Sequence, residues 1–178
     1  MKKEISVIGV PMDLGQMRRG VDMGPSAIRY AGVIERIEEI GYDVKDMGDI
    51  CIEREKEIDE NTKLRNLTQV ATVCNELASK VDHIIEEGRF PLVLGGDHSI
   101  AIGTLAGVAK HYKNLGVIWY DAHGDLNTEE TSPSGNIHGM SLAASLGYGH
   151  SSLVDLYGAY PKVKKENVVI IGARALDE

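Results

Sequence analysis

Cysteine is scarce in this sequence, in which Cys51 and Cys74 are the two thiols among 178 residues. Their separation does not match the paired spacing of a metal-binding motif, and two cysteines do not suggest a disulfide framework. We interpret both as structural residues that stay reduced, as is usual inside a cell.

Long apolar stretches are also missing. Lys2 and Lys3 precede a short apolar run, but Glu4, Pro11 and Asp13 interrupt it. The run is therefore too short for a signal peptide or a membrane span. The sequence predicts a cytoplasmic protein with no membrane partner.

Positive charge is the third feature in short supply. The chain has 19 lysines and arginines against 27 aspartates and glutamates, a net charge of −8, and no lysine or arginine cluster on a predicted face. Nucleic acids and anionic lipids attract clustered positive charge, so neither is predicted as a partner. Repeats, low-complexity tracts and linkers are absent as well, which predicts a single domain over residues 1–178.

Short apolar runs alternate with helical patterns along the chain. The predicted strands are Ile5–Val10, Tyr42–Asp46, Pro91–Leu94, Leu115–Tyr120 and Val168–Ile171. The predicted helices begin at Pro25, run through Leu64 to Ile85, span Ile100–His111 and lie near Leu142–Leu146. This series predicts an α/β protein with a mainly parallel sheet.

A metal-site signature follows the strand that ends at Tyr120. The next residues are Asp-Ala-His-Gly-Asp, and in an extended segment Asp121, His123 and Asp125 would share one face. His98, in Gly-Gly-Asp-His after the strand Pro91–Leu94, is a fourth candidate ligand. If the two strands are neighbours, all four side chains meet at the carboxyl end of the sheet.

The ligand types narrow the chemistry of this site. Imidazole and carboxylate without thiolate suit Mn, Co, Ni or Zn. An aspartate with further ligands on both sides can bridge two ions, and such a pair can hold a hydroxide for hydrolysis near neutral pH. Alone, Asp-x-His-x-Asp is equally consistent with a solvated loop or a helix cap, but His98 and the segment that ends at His138 favour the metal site.

Several motifs in this order resemble the arginases of the ureohydrolase family. They are Gly-Gly-Asp-His, Asp-Ala-His-Gly-Asp-Leu-Asn and Ser-Gly-Asn-Ile-His-Gly, with Gly9-Val10-Pro11, Arg19-Gly20-Val21, Gly24-Pro25 and Ile171-Gly172-Ala173-Arg174. The resemblance implies a three-layer α-β-α, arginase/deacetylase-like fold and a dimanganese enzyme that hydrolyses L-arginine to L-ornithine and urea. It also implies a homotrimer or homohexamer.

The resemblance also implies roles for individual residues. His98 and Asp125 would bind one Mn²⁺, His123 the other, and Asp121 both. Asn127 and Ser134 would contact the α-carboxylate of the substrate, and Asp177 would contact its α-amino group. His138 would act as the proton shuttle. The simpler interpretations are a turn around Ser134 and an exposed acidic terminus at Asp177.

The family's second metal motif, Asp-x-Asp, does not occur in this sequence. Two octahedral ions need more than four protein ligands, so the chain resembles the amino-terminal part of an arginase. The last predicted strand, Val168–Ile171, points the same way, because nothing after it would cover its faces. We therefore expect a fold that is incomplete at the C-terminus, and no activity from the 178 residues alone.

Two other functions remain open. An agmatinase-like ureohydrolase would act on a substrate without a carboxylate and would have little use for Asn127 and Ser134. The absent carboxylate pair favours a different class, a non-catalytic metal-binding partner subunit that assembles with intact copies.

Overall fold

Strands and helices alternate in the computed structural model, which describes residues 4–53, 63–158 and 161–176. Within these ranges the strands are β1 (Glu4–Val10), β2 (Asp43–Asp49), β3 (Phe90–Gly95), β4 (Val117–Tyr120) and β5 (Val168–Ile171). The α-helices are α1 (Gly24–Tyr30), α2 (Val33–Glu39), α3 (Leu67–Glu86), α4 (Ile100–Ala109), α5 (Ser141–Leu146) and α6 (Ser151–Val154). Short 3-10 helices span Val21–Met23, Ile137–Met140 and Lys165–Asn167.

The predicted α/β class is confirmed, and every strand pairing between these elements is parallel. β1 is central in the order β2-β1-β3. Residues 6–10 of β1 are buried without alternation, as expected for a parallel strand that is covered on both faces. The sheet therefore provides a fixed edge for the residues that follow its strands.

Helix α3 supplies one wall of the core. Apolar side chains recur at intervals of three and four residues, and those at Val70, Leu77, Val81 and Ile84 are fully buried. α3 packs mainly against α4. Cys74 lies in this contact, where burial raises the pKa of its thiol to about 12; both cysteines are free, as predicted.

One geometric expectation is wrong. β4 pairs with β5 in a second sheet, and within the described residues β3 and β4 are not hydrogen-bonded neighbours. A groove of about 360 Å³ lies between them, lined in part by Val93, Ile100 and Trp119. Strand order is set by tertiary packing, so consecutive strands in the sequence need not be neighbours in the sheet.

The second sheet leaves apolar side chains in solvent. Ile118 is 73% exposed and Val169 57% exposed. This agrees with the expectation that the faces of the last strand lack cover. Among the described residues, no helix combines the length and the apolarity that crossing a membrane requires.

Candidate metal centre

The chain segments that leave β3 and β4 bring three candidate ligands together. His98 follows the turn after β3, and Asp121 directly follows β4. His98 Nδ1 lies 2.9 Å from Asp121 Oδ2 and 2.8 Å from Asp125 Oδ2. One ligand atom from each of these residues lies within 4.8 Å of the other two. The structure thus brings His98, Asp121 and Asp125 around one point, although their strands are not paired.

Asp121 contacts a different histidine with each carboxylate oxygen. Oδ2 faces His98, while Oδ1 lies 3.1 Å from His123 Nδ1 and accepts a hydrogen bond from the His123 backbone amide at 3.0 Å. The His123 side chain is 66% exposed, so this second contact opens to solvent. A carboxylate with its two oxygens directed at two histidines has the arrangement that a bridging ligand requires.

Asp125 reaches the cluster through a turn instead of an extended strand. Its φ of 52° is in the left-handed region, which aspartate tolerates better than most residues. Its carbonyl accepts hydrogen bonds from the amides of Leu142 and Ala143 in α5, both at 3.1 Å. The expectation of one extended segment over residues 121–125 is therefore wrong at Asp125, yet its side chain still faces His98.

Charge and burial act against each other at His98. Burial, in part by the ring of Trp119 stacked at 4.3 Å, lowers the pKa of the imidazole. The nearby carboxylates of Asp125 and Asp121 outweigh burial, and the net pKa is raised. At Asp121 burial raises the pKa, but the hydrogen bonds from His123 and the charge of His98 make it lower than usual.

The donor set fits a divalent cation. Asp125 Oδ2 is buried and has no hydrogen bond of suitable angle within the part of the chain that the structure describes, although the His98 ring nitrogen is 2.8 Å away. A buried carboxylate oxygen without a hydrogen-bond donor is costly unless a cation balances it. One imidazole and two carboxylates, without thiolate, suit Mn²⁺ and similar ions.

The turn before His98 is held by a buried carboxylate that sequence reasoning did not single out. Asp97 Oδ2 accepts from the amide of Gly15 at 2.8 Å, and Oδ1 accepts from the amide of Ser99 at 2.9 Å. At Gly96 an added Cβ would lie 1.9 Å from Met12 O, so this position must remain glycine. These contacts fix the backbone on both sides of His98.

Ser141 is a second residue that sequence reasoning missed. Its buried hydroxyl lies 2.9 Å from the carbonyl oxygens of both His98 and His138. The amide of His138 also donates to the carbonyl of Gly15 at 3.0 Å. The backbone of His138 is therefore tied to both the His98 turn and the loop after β1.

Asn127 and Ser134 lie on the loop between Asp125 and the 3-10 helix Ile137–Met140. Asn127 Oδ1 accepts from Thr131 Oγ1 at 2.9 Å, which orients its amide group. Ser134 Oγ accepts from the backbone amide of Asn136 at 3.3 Å. Both side chains thus have a local hydrogen bond within the loop. Asp177 lies outside the described residues.

The sequence model of the Arginase family matches residues 3–178. The chain belongs to the arginase family. The arginase of Bacillus subtilis (strain 168) is 72% identical over 178 residues, which are 100% of this chain and 60% of that protein.

Solved arginases have the same fold. The arginase from Bacillus cereus is 96% identical with a TM-score of 0.93, and the match covers 99% of this chain and 59% of that one. The arginase of Entamoeba histolytica, solved in complex with L-ornithine, is 35% identical with a TM-score of 0.89, over 99% of this chain and 60% of that one.

The cluster of His98, Asp121 and Asp125 is the candidate metal site of this arginase-family chain. The chain spans about 60% of the length of the curated arginases that it matches. The sequence contains no Asp-x-Asp motif, which is compatible with a chain that spans about 60% of the length of its relatives.

The loop after β1 also lies near the site. Arg19 Nε donates to the buried carboxylate of Asp13 at 2.6 Å, while 63% of the Arg19 side chain stays exposed. Arg19 therefore stabilises the fold of its own loop.

Proposed function

We propose that this chain forms the first half of the active site of an arginase, which hydrolyses L-arginine to L-ornithine and urea. The observation that carries the proposal is the convergence of His98, Asp121 and Asp125, in which His98 Nδ1 lies 2.9 Å from Asp121 Oδ2 and 2.8 Å from Asp125 Oδ2. The name shared by the similar proteins supports the same activity.

The proposed metal ligands divide between two Mn²⁺ ions. His98 and Asp125 would bind one ion, His123 the other, and Asp121 both. The contact of each Asp121 oxygen with a different histidine supports this division. When bound, the two ions would supply a hydroxide nucleophile near neutral pH and polarise the substrate.

The residues after the metal motif are proposed to orient the substrate. Asn127 and Ser134 would donate hydrogen bonds to the α-carboxylate, since an amide NH₂ and a hydroxyl are both donors. Asp177 would accept from the α-amino group. The ordering of Asn127 by Thr131 supports a fixed direction for its amide.

His138 is proposed to protonate the departing ornithine amine. The two ring nitrogens of an imidazole can donate and accept a proton, as a proton shuttle requires. Its backbone carbonyl accepts from Ser141 Oγ and its amide donates to Gly15 O, and these two contacts would hold the residue in a fixed position.

Turnover is proposed to need more than these 178 residues. The sequence has no Asp-x-Asp, and the chain spans about 60% of the arginases that it matches. The metal ligands that the resemblance still requires would come from the length that the relatives have in addition. A cytoplasmic location and a trimeric or hexameric assembly remain predictions.

The test is urea release from L-arginine and from agmatine. The tested protein would contain this sequence and extend to the full length of its relatives. It would be assayed with and without Mn²⁺. We expect Mn²⁺-dependent turnover of L-arginine and little turnover of agmatine, which has no carboxylate for Asn127 and Ser134. Equal turnover of both substrates would contradict the arginase assignment in favour of an agmatinase-like enzyme.

The absent carboxylate pair favours one other function, that of a non-catalytic metal-binding partner subunit. It predicts that the 178-residue chain binds metal and associates with longer copies without catalysis. Urea release by this chain alone, at a rate close to that of a full-length relative, would exclude it.

A further inference from the structure

The segment 63–66, just before α3, contacts two loops that border the candidate site. The backbone amide of Arg65 donates to Gly135 O at 3.0 Å, and Arg65 Nε donates to Ser134 O at 3.0 Å. Asn66 Nδ2 donates to Leu14 O at 2.8 Å. One short segment therefore joins the loop of Ser134 to the loop after β1.

The contact between segment 63–66 and the Ser134 loop is close, and it involves residues in the left-handed backbone conformation. Gly135 has a φ of +70°, and an added Cβ would lie 2.0 Å from Lys63 O. Asn66 itself has a φ of 51°. Non-glycine residues adopt this conformation rarely, and mostly where surrounding contacts impose it. The position of the loop relative to Arg65 is thus well defined.

Arg65 places a full positive charge beside Ser134. Its hydrogen bond runs through Nε, so the guanidinium group is held against the residue that is proposed to contact the substrate carboxylate. Ser134 Oγ accepts from the amide of Asn136, which leaves the hydroxyl proton to be donated elsewhere. A nearby cation favours a bound carboxylate and does not attract a ligand that carries amines alone.

We propose that Arg65 is a positioning and specificity-determining residue, which strengthens binding of ligands that carry an α-carboxylate. It acts through Ser134, by its hydrogen bond to the carbonyl oxygen, and through its charge. The proposal rests on the proposed arginase function, because it assumes that the substrate carboxylate binds at Ser134.

The experiment compares L-ornithine with putrescine, which differs from it by the missing carboxylate. The tested protein contains this sequence, extends to the full length of its relatives and is loaded with Mn²⁺. Binding is measured by isothermal titration calorimetry, and KM and kcat are measured with L-arginine. The variants are Arg65→Gln, which removes the charge, and Arg65→Lys, which keeps it; Arg36→Gln on exposed α2 is the matched control.

We expect Arg65→Gln to weaken L-ornithine binding and to raise KM for L-arginine by about three- to tenfold, as loss of one partly screened charge would. We also expect putrescine, a dication, to bind no more weakly than it does to the unsubstituted protein, and kcat to stay within about twofold. Arg65→Lys should have an L-ornithine affinity and a KM between those of Arg65→Gln and the unsubstituted protein. Arg36→Gln should leave binding, KM and kcat unchanged.

Two results would overturn the role of Arg65. If Arg65→Gln bound L-ornithine and putrescine more weakly by the same factor, the effect would be merely structural. If the affinity for both ligands stayed unchanged, Arg65 would have no role in binding. Failure of the arginase function would be a separate result, because the unsubstituted protein would then release no urea from L-arginine.

Discussion

Among single residues, Asp121 differs from Asp125 in the number of partners that each carboxylate has. Asp121 faces His98 with one oxygen and His123 with the other, whereas the one histidine that Asp125 faces among the described residues is His98. A ligand shared by two ions contributes to both affinities, while a ligand of one ion contributes to one. The two aspartates therefore separate a bridging role from a terminal one.

We expect Asp121→Ala to lose more bound metal than Asp125→Ala, because it removes a ligand from both proposed ions. The measurement is metal content per chain by atomic spectrometry after dialysis, with Glu39→Ala on exposed α2 as control. A larger loss in Asp125→Ala would contradict the bridging role of Asp121.

For His138 we expect a change in turnover without a change in bound metal. The backbone contacts of His138 do not depend on its imidazole, and His138 is not in the ligand group found among the described residues. His138→Ala should keep its metal and slow turnover by about 10²-fold, since general acid–base catalysis typically contributes that much. Metal content and kcat are measured together, with exposed His83→Ala as control; loss of metal would reassign His138 as a ligand.

The sequence predicted these side chains because their signal is local. Asp121, His123 and Asp125 lie within five residues, and a short spacing limits where the side chains can go. Asp97 and Ser141 were not predicted, because their contacts to Gly15 and His98 join segments that are 82 and 43 residues apart. No pattern in the sequence records such a hydrogen bond.

At the scale of elements, the sequence pattern was sufficient to predict each strand and the helices α1, α3, α4 and α5. It did not predict α2, with seven residues, or α6, with four. Helices this short have too few turns to establish a period. The neighbour relation of β3 and β4 was also wrong, because periodicity carries no information on strand order.

An arginine ties α1 to the end of β2. Arg29 donates to both oxygens of Asp46, at 2.8 and 2.9 Å, and to Asp49 at 2.5 Å. The hydrogen bond from Arg29 is the main cause that lowers the pKa of Asp46 below its usual 3.8, against the raising effect of burial. The folded state therefore favours the charged carboxylate.

This contact makes a pH-dependent contribution to stability. Because the pKa of Asp46 is lowered on folding, its contribution is full above about pH 4 and is lost as the pH falls through the lowered value. We expect Asp46→Asn to cost about 0.5–1 kcal/mol at pH 7, as expected of a partly exposed pair, and the difference to shrink toward pH 3. Urea unfolding from pH 7 to pH 3 measures this.

Exposed Glu38→Gln on α2 is the control for Asp46→Asn, since it removes one negative charge from the same surface region. A stability difference between Asp46→Asn and the unsubstituted chain that stays constant over the whole pH range would show that Asp46 does not titrate as described.

At the scale of the whole molecule, two parallel sheets carry the proposed ligands of one site. His98 follows the sheet β2-β1-β3, while Asp121 and His123 follow β4 of the sheet β4-β5. Within the described residues these sheets share no hydrogen-bonded strands. The relative position of the ligands therefore depends on the packing of α4 and α5 and on the contacts of Ser141.

We expect Mn²⁺ to stabilise the 178-residue chain less than a protein continued to the full length of the relatives. Metal that binds the folded state raises its stability in proportion to the logarithm of affinity, and fewer ligands give a lower affinity. The shift of the unfolding midpoint with Mn²⁺ concentration measures this in both proteins, with Mg²⁺ as the control ion. Equal shifts would mean that the ligands within this chain are sufficient.

The groove between β3 and β4 has a thermodynamic consequence for the metal. His98 and Trp119 line the groove, and the same imidazole presents Nδ1 to Asp121 and Asp125. A polypeptide segment seated in the groove and a cation at Nδ1 would each restrict rotation of this ring. Two binding events that order the same group favour each other reciprocally, so each would raise the affinity of the other by an equal factor.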